Sequence, residues 1–322
     1  MASDPKSKRA LMESFKYLSA AELLLLTPIC SFWHRLSQTE EIWAPLLGPA
    51  GLQYRGLMNP APSNQDVYKA LHHKVCYAIR DRSLYRYVVP KNVWSVSPIH
   101  VDWDIHSATA TILVPKDRLF GVPPPGASDP FLLNTSDGSL ERLPALSPPR
   151  QYPGICLYQG FVYAFAGGRT KKCERFDLQS KRWSNLPDCL EELQAFNPVV
   201  TQKVIYLPNG SKDGIETFDP ETQLFALLAC RSGMTNSASS ILVDSKLLIL
   251  GMLGLFEVDI DTQESKKVEF QKSLRSAWST YNPILCGEEL VLVWTYNDMW
   301  TVALFNVHTM VNRYVDMPEA GS

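Results

Sequence analysis

The sequence predicts a mainly β protein: a β-propeller of about six blades preceded by a small α-helical segment. Three observations support this prediction. From about residue 75 onward, apolar runs of four to eight residues alternate with turns rich in Gly, Pro, Asn and Asp. A repeat with a period of 40 to 47 residues runs through the same region. In residues 10–48, by contrast, the apolar positions recur at helical spacing.

Five apolar runs are the clearest candidate strands. They are too short for typical helices, and they are rich in β-branched and aromatic residues. We therefore expect strands at 155–158, 161–165, 204–207, 247–250 and 290–294.

The repeat is marked by an apolar residue followed by Asp or Asn and then by polar residues. We expect the Asp or Asn to cap a tight turn by bonding to the backbone two residues on. An aromatic residue on the next strand is expected to cover the core of the neighbouring blade. Intervals of 43, 42, 40 and 47 residues separate successive steps, and this length suits a four-stranded blade. The steps are Leu133-Asn134, Phe176-Asp177, Phe218-Asp219, Val258-Asp259 and Phe305-Asn306.

The best-defined unit, residues 149–187, resembles the kelch repeat. Gly167-Gly168, Phe176-Asp177 and Trp183 stand where that family has its double glycine, its Tyr-Asp pair and its Trp. The other units are degenerate, and an incomplete one containing Trp94 precedes them. The resemblance implies a kelch-type β-propeller over residues 75–318. Another class of β-repeat is the alternative that the same period allows.

Within the helical segment 10–48, the stretch 18–47 resembles the second half of an F-box. Cys30 and Trp33 lie 3 residues apart, and Trp33 and Trp43 lie 10 apart. The resemblance implies binding to the Skp-type adaptor of a cullin ubiquitin ligase. The family's usual Leu-Pro start is missing before Leu11. The alternative to adaptor binding is that these helices only pack on the propeller. The implied adaptor-binding residues are Leu11, Phe15, Leu18, Leu23, Leu24, Ile29, Trp33, Ile42 and Trp43.

Residues 49–74 are expected to form a linker followed by a short helix that begins near Val67. The stretch 59–64 combines two prolines with small and polar residues, which is typical of a linker. The N-terminal segment and the propeller are therefore expected to be separate units.

The motif content favours a binding protein over an enzyme. The chain has no nucleophile elbow, zinc-protease motif, phosphate loop or dinucleotide fingerprint. His100, Asp102, Asp104 and His106 alternate, so on a strand they would share one face as candidate metal ligands. A solvated loop is the preferred interpretation of this segment. We expect no catalytic residues, no metal and no cofactor.

Charge and cysteine content narrow the classes of partner and compartment. A net charge of −2 gives no electrostatic reason to expect nucleic acid or a membrane as partner. The seven cysteines are scattered and contain no CxxC pair, which favours free thiols in a reducing compartment. No apolar run approaches the ~20 residues of a spanning helix. We expect a cytoplasmic or nuclear protein.

One face of the predicted propeller is the expected binding surface for a client protein. It gathers the loops that enter each blade and those that follow its second strand. Arg, Trp and Tyr are enriched at binding hot spots, and Arg pairs with carboxylates and phosphates. An acidic or phosphorylated client is therefore expected. The predicted client-binding residues are Arg150, Arg169, Lys171, Arg231, Arg275, Trp278 and Tyr296.

Together these expectations predict that the protein is a substrate-recognition subunit of an SCF-type cullin ubiquitin ligase. The N-terminal helices would bind the adaptor, and the propeller would hold the client. The alternative is a kelch-propeller scaffold with no attachment to a ligase, which the missing Leu-Pro pair favours. A propeller enzyme is the third hypothesis, and a stoichiometric transition metal in the purified protein would support it.

Overall fold

The chain separates into two units, Met1–Lys74 and Val75–Ser322. The computed structural model describes only part of the second unit, and within that part every regular element is a β-strand. The predicted N-terminal helices and the His100–His106 segment lie outside the described residues. The described residues are 75–80, 82–88, 93–99, 110–115, 117–123, 126, 129–211, 214–230, 238–243, 245–251, 254–268, 281–286, 289–296, 299–306 and 312–315.

The first three sheets are antiparallel, and each pairs strands in chain order. Sheet 1 has three strands: β1 (Val75–Arg80), β2 (Ser83–Val88) and β3 (Val93–Pro98). Sheet 2 has four: β4 (Ala110–Val114), β5 (Arg118–Val122), β6 (Phe131–Asn134) and β7 (Leu140–Arg142). Sheet 3 has four: β8 (Gly154–Tyr158), β9 (Phe161–Phe165), β10 (Cys173–Asp177) and β11 (Arg182–Leu186).

The next three sheets follow the same pattern, with four strands each. Sheet 4 contains β12 (Val199–Val200), β13 (Ile205–Ser211), β14 (Gly214–Asp219) and β15 (Leu224–Leu228). Sheet 5 contains β16 (Ala238–Val243), β17 (Lys246–Gly251), β18 (Gly254–Asp259) and β19 (Ser265–Val268). Sheet 6 contains β20 (Tyr281–Cys286), β21 (Glu289–Tyr296), β22 (Met299–Asn306) and β23 (Asn312–Val315).

Sheets 2 to 5 form four blades of a propeller-like arrangement, as the repeat predicts. Their first strands contact one another in succession: β4 meets β8, β8 meets β12, and β12 meets β16. Strand β16 in turn meets β20. Four of the five candidate strands lie within β8, β9, β17 and β21, and the fifth, 204–207, overlaps β13, which begins at Ile205. Closure into a six-bladed ring stays a prediction.

The turn between the third and fourth strands is the same in all four blades. An Asp or Asn side-chain oxygen accepts the N–H two residues on, at 2.8 to 3.0 Å, which confirms the predicted capping. The carbonyl of the same residue accepts the N–H four residues on, and that fourth residue has a positive φ. The pairs are Asn134 and Gly138, Asp177 and Lys181, Asp219 and Gln223, and Asp259 and Gln263.

Aromatic side chains six residues after two of the turn-capping positions, Asp177 and Asp219, join neighbouring sheets. Trp183 packs its ring 6.0 Å from that of Phe120 in sheet 2 and 5.1 Å from that of Phe176 in its own sheet. Phe225 repeats this arrangement, at 6.3 Å from Phe165 in sheet 3. The prediction that a fourth-strand aromatic covers the neighbouring blade is confirmed at both positions.

Polar side chains also join sheets 4 and 5. Asn197 donates through Nδ2 to the Ser240 carbonyl at 2.5 Å, and its Oδ1 accepts the Ser240 N–H at 2.6 Å. The Ser240 hydroxyl donates to the Asn197 carbonyl at 2.8 Å. The Asn197 amide thus pairs with β16 as another strand would, which satisfies polar groups at a buried junction. No described residue belongs to a helix that could cross a membrane.

Replacing Asp219 tests the repeated turn. Hydrogen bonds from Glu221 and Thr222 hold the pKa of Asp219 below its usual value. A lowered native pKa makes the carboxylate stabilising above the unfolded pKa of about 4, and this contribution is lost as pH falls through the native pKa. Asp219→Ala should therefore lower Tm at pH 7 by roughly 2 °C and flatten the acid part of a Tm–pH profile.

The matched control is Asp219→Asn, because Asn134 performs the same capping in sheet 2. This variant should keep most of the stability at pH 7 and lose the same pH dependence as the Ala variant. Equal Tm values for both variants and the unmodified chain across the pH range would contradict the role given to the side-chain oxygen.

Replacing Phe218 tests the joint between sheets 3 and 4. The side chain is 0% exposed, and its ring centroid lies 5.3 Å from that of Phe165 and 4.8 Å from that of Phe225. Phe218→Ala should reduce the free energy of unfolding by about 3–5 kcal/mol, because it leaves a cavity in the core. The control is Leu224→Ala, because the Leu224 side chain is 67% exposed. It should change the free energy of unfolding by less than about 0.5 kcal/mol. Chemical denaturation measures both, and equal effects would contradict the assignment of the joint.

Candidate protein-binding face

The up-and-down order of strands places two kinds of loop at opposite ends of each sheet. The capped turns lie at one end. The other end, here named the entry face, is built in sheets 3 and 4 by the loops 143–153, 166–172 and 187–198. The first and third of these loops each lead into a new sheet, and the second joins β9 to β10.

Backbone hydrogen bonds join the three loops to one another. The Gly167 N–H donates to the Leu193 carbonyl at 2.8 Å, and the Ala195 N–H donates to the Tyr152 carbonyl at 2.9 Å. The Cys189 N–H donates to the Lys171 carbonyl at 2.8 Å. Because each bond bridges two different loops, the entry face is one continuous surface across sheets 3 and 4.

The double glycine singled out in the sequence has a steric role in this face. Gly167 adopts a φ of 106°, and a Cβ there would lie 2.9 Å from the Gln151 carbonyl oxygen and from the Pro153 Cα. Side-chain-bearing residues rarely adopt this φ. The glycine therefore allows the 166–172 loop to approach the loop that enters sheet 3.

Arg150 is buried beneath this face. Its side chain is 0% exposed, and its guanidinium forms an ion pair with Glu174, whose side chain is 4% exposed. It also donates to the carbonyl oxygens of Ala164, at 3.2 Å, and of Ala166 and Lys172. Arg150 therefore holds the entry loop against β9 and β10, and it is not available to a client. We remove it from the predicted client-binding set for this reason.

Two buried glutamates at equivalent places in β10 and β14 fix the loops that enter their sheets. Glu174 accepts the N–H of Ser147 at 3.2 Å. Glu216 accepts the N–H of Leu190 at 3.0 Å and that of Glu191 at 2.6 Å. Burial raises the pKa of Glu216, and these two N–H groups oppose the rise. Each carboxylate thus satisfies backbone donors of a loop, which sets the position of the exposed residues.

Four side chains on the entry face are exposed and of types suited to binding. Tyr152 and Leu190 are each 44% exposed, although both are large and apolar. Arg169 is exposed, with no partner among the described residues. Lys171 is exposed and donates from Nζ to the Leu190 carbonyl. The face therefore offers an aromatic, an aliphatic and a cationic contact within three joined loops.

The charges of the three loops do not favour an acidic surface as partner. Three exposed cations are matched by three exposed carboxylates, and Lys172 pairs with Asp188 at 3.1 Å. A long-range field of one sign is therefore absent from these loops, and any preference for acidic groups has to act locally, through Arg169. The cations are Arg169, Lys171 and Lys172, and the carboxylates are Asp188, Glu191 and Glu192.

Of the residues predicted to bind a client, the structure brings Arg169 and Lys171 together on one exposed loop. Arg231, Arg275 and Trp278 lie outside the described residues. Tyr296 ends β21, in sheet 6. All predicted adaptor-binding residues also lie outside the described part of the chain.

Tyr152 and Leu190 were missed by the sequence reasoning. Tyr152 belongs to a residue type enriched at hot spots and lies two positions after Arg150, so its type and its loop were sufficient signals. Leu190 carried no such signal, because an isolated Leu in a loop is usually buried. Glu216 accepts the N–H of Leu190, and the Leu190 side chain is exposed.

The described residues contain no group of three or more His, Cys, Asp or Glu side chains able to hold a metal ion. Four free cysteines are buried there: Cys156, Cys173, Cys189 and Cys230. No model of a protein family matches the chain, and neither does any curated protein.

Arg150→Met tests whether Arg150 is structural. It should reduce the free energy of unfolding by about 3–5 kcal/mol, because Glu174 would be left buried without its cation. Adding Glu174→Gln should recover part of this loss, since the amide oxygen still accepts the Ser147 N–H. Arg169→Met, at an exposed position, should change stability by less than about 0.5 kcal/mol. Urea denaturation compares the variants, and equal stabilities of the two Met variants would contradict the assignment.

Proposed function

We propose that this chain is a non-catalytic substrate-recognition subunit of a cullin ubiquitin ligase. In this proposal the entry face holds a client protein. The N-terminal segment, predicted to be helical, binds the Skp-type adaptor. The protein acts by proximity, because it raises the effective concentration of client lysines near the ubiquitin-charged enzyme.

The observation that carries the proposed binding role is the exposure of Tyr152, Arg169 and Leu190 on three loops that are hydrogen-bonded to one another. A large apolar side chain costs free energy in water, and Tyr and Arg are hot-spot residues. The loops are held by backbone bonds and buried carboxylates, so little ordering is needed on binding.

The same contacts define the client more closely. Tyr152 and Leu190 suit apolar side chains, and Arg169 suits one carboxylate or phosphate. The balanced charge of the loops argues against a strongly acidic client. We propose an extended client segment in which one acidic group is flanked by apolar residues.

The proposed link to a ligase depends on the F-box-like spacing of Cys30, Trp33 and Trp43. A scaffold with no ligase is the second candidate, and the missing Leu-Pro start favours it. The two candidates share the entry face and differ only in what the N-terminal segment binds.

Co-purification with a Skp-type adaptor separates the two candidates. The full chain should retain the adaptor, and a chain lacking residues 1–48 should lose it while its propeller keeps the same Tm. Trp33→Ala in the full chain should weaken retention at least tenfold, because an aromatic anchor is lost. Retention by neither chain, with the propeller folded, would favour the scaffold.

Client binding is tested by a triple variant of the entry face: Tyr152→Ala, Arg169→Ala and Leu190→Ala. Client capture should fall at least tenfold, since these are the exposed hot-spot types. The control is Lys181→Ala with Leu224→Ala, two exposed positions away from the entry face. Unchanged capture by the triple variant, or equal loss in the control, would contradict the assignment of the face.

A further inference from the structure

Two cysteines meet just beneath the entry face. Cys173 is the first residue of β10, and Cys189 lies in the loop that leads into sheet 4. Their Sγ atoms are 3.1 Å apart, and the two residues are 1% and 3% exposed. The Cys189 N–H donates to the Lys171 carbonyl at 2.8 Å, which fixes the loop backbone next to the start of β10. The backbone itself therefore holds the two sulfurs together.

The contact is closer than packing requires. A disulfide has an S–S distance of about 2.05 Å, so a movement of about 1 Å would bring the sulfurs to bonding distance. Cys156 and Cys230 are also buried thiols, but no sulfur lies within hydrogen-bonding range of either among the described residues. The pair thus differs from the other buried cysteines of the described sheets.

We propose that Cys173 and Cys189 are a redox-sensitive pair that forms a disulfide between β10 and the loop entering sheet 4. The oxidant would be a low-molecular-weight disulfide such as oxidised glutathione. The proposal does not depend on the proposed ligase role, because it concerns only the chemistry and stability of this chain.

The reaction proceeds in two exchange steps. One protein thiolate attacks a sulfur of the small disulfide, whose S–S bond breaks and releases one small thiol. The second protein thiol loses its proton to solvent and attacks the mixed disulfide, which releases the other small thiol. Two protein thiols are oxidised, and one small disulfide is reduced to two thiols.

The surroundings favour Cys173 as the attacking thiolate. The Cys189 thiol hydrogen-bonds to it, and this lowers the pKa of Cys173 although burial opposes the effect. The Ala166 N–H and the positive charge of Arg150 act in the same direction. The pKa of Cys189 is raised by the same hydrogen bond and by burial. Both sulfurs are buried, so the reaction requires local opening of the 187–198 loop. In the closed structure the neighbours of Cys189, Asp188 and Leu190, are already exposed, so this part of the loop lies at the surface.

The disulfide would fasten the loop that carries Leu190 to sheet 3. It would close a short loop of chain, and a cross-link of this length stabilises mainly by restricting the unfolded state. We expect the oxidised protein to have a Tm higher by roughly 5 °C, and reduction should reverse the shift.

Peptide mapping of the folded full chain tests the proposal directly. The chain is treated with oxidised glutathione, its remaining thiols are alkylated, and it is digested with trypsin. Cleavage after Lys172, Arg175, Arg182 and Lys203 places the two cysteines in separate peptides, 173–175 and 183–203. We expect these two peptides to be recovered joined by a disulfide, together with the rise in Tm.

Cys189→Ser should abolish both the joined peptides and the rise in Tm. The matched control Cys230→Ser, which removes another buried thiol, should retain both. If Cys189→Ser does not fold, the peptide map of the unmodified chain still shows whether Cys173 and Cys189 form a disulfide. The proposal would be overturned if Cys173 and Cys189 remained free thiols after treatment of the folded protein. It would also be overturned if either formed a disulfide mainly with another cysteine.

Discussion

The described architecture depends on one constraint: inner strands of the sheets, such as β9, are buried on both faces. In β9, Val162, Tyr163, Ala164 and Phe165 are all buried. Successive side chains of a strand point to opposite faces, so sheet 3 has to be covered from both sides. Phe120 and Trp183 close the seam with sheet 2, and Phe165 and Phe218 close the seam with sheet 4. Each sheet therefore needs a neighbouring sheet on either side, and the result is a row of blades. Closing such a row into a ring covers the outer faces of its two end blades as well.

This stacking places the capped turns and the entry-face loops at opposite ends of the sheets. The capped turns, at one end of the sheets, are local and similar in four blades. At the other end, the loops 143–153 and 187–198 pass between sheets, and side chains of the sheet that each one enters fix its backbone. Glu174 and Glu216 do this from beneath by accepting backbone N–H groups of the loops, and the buried Arg150 of the first loop pairs with Glu174. The outward residues of those loops are then held in place without having to stabilise the fold, and they are free to differ from blade to blade.

Local interactions made much of this predictable from the sequence. An Asp side chain bonds to the backbone two residues away, so the capped turns, the blade period and the strands at 161–165 and 247–250 followed from neighbouring residues. The candidate face was harder. Whether Arg150 points to solvent or inward is decided by Glu174, which lies 24 residues later and becomes its neighbour only in the folded sheet. The exposure of Leu190 was not predictable from its type, because it depends on how the fold positions the loop that carries it. The Cys173–Cys189 contact likewise spans 16 residues and leaves no motif.

The proposed binding role places the protein partner on the entry face rather than at the opposite end of the sheets. Cross-linking through lysines, followed by mass spectrometry of the full chain purified with its bound protein, tests it most directly. Lys171 and Lys172 lie on the entry face, whereas Lys181 and Lys203 lie in turns at the other end. We expect cross-links to the partner to come from Lys171 and Lys172. Cross-links concentrated at Lys181 and Lys203 would contradict it.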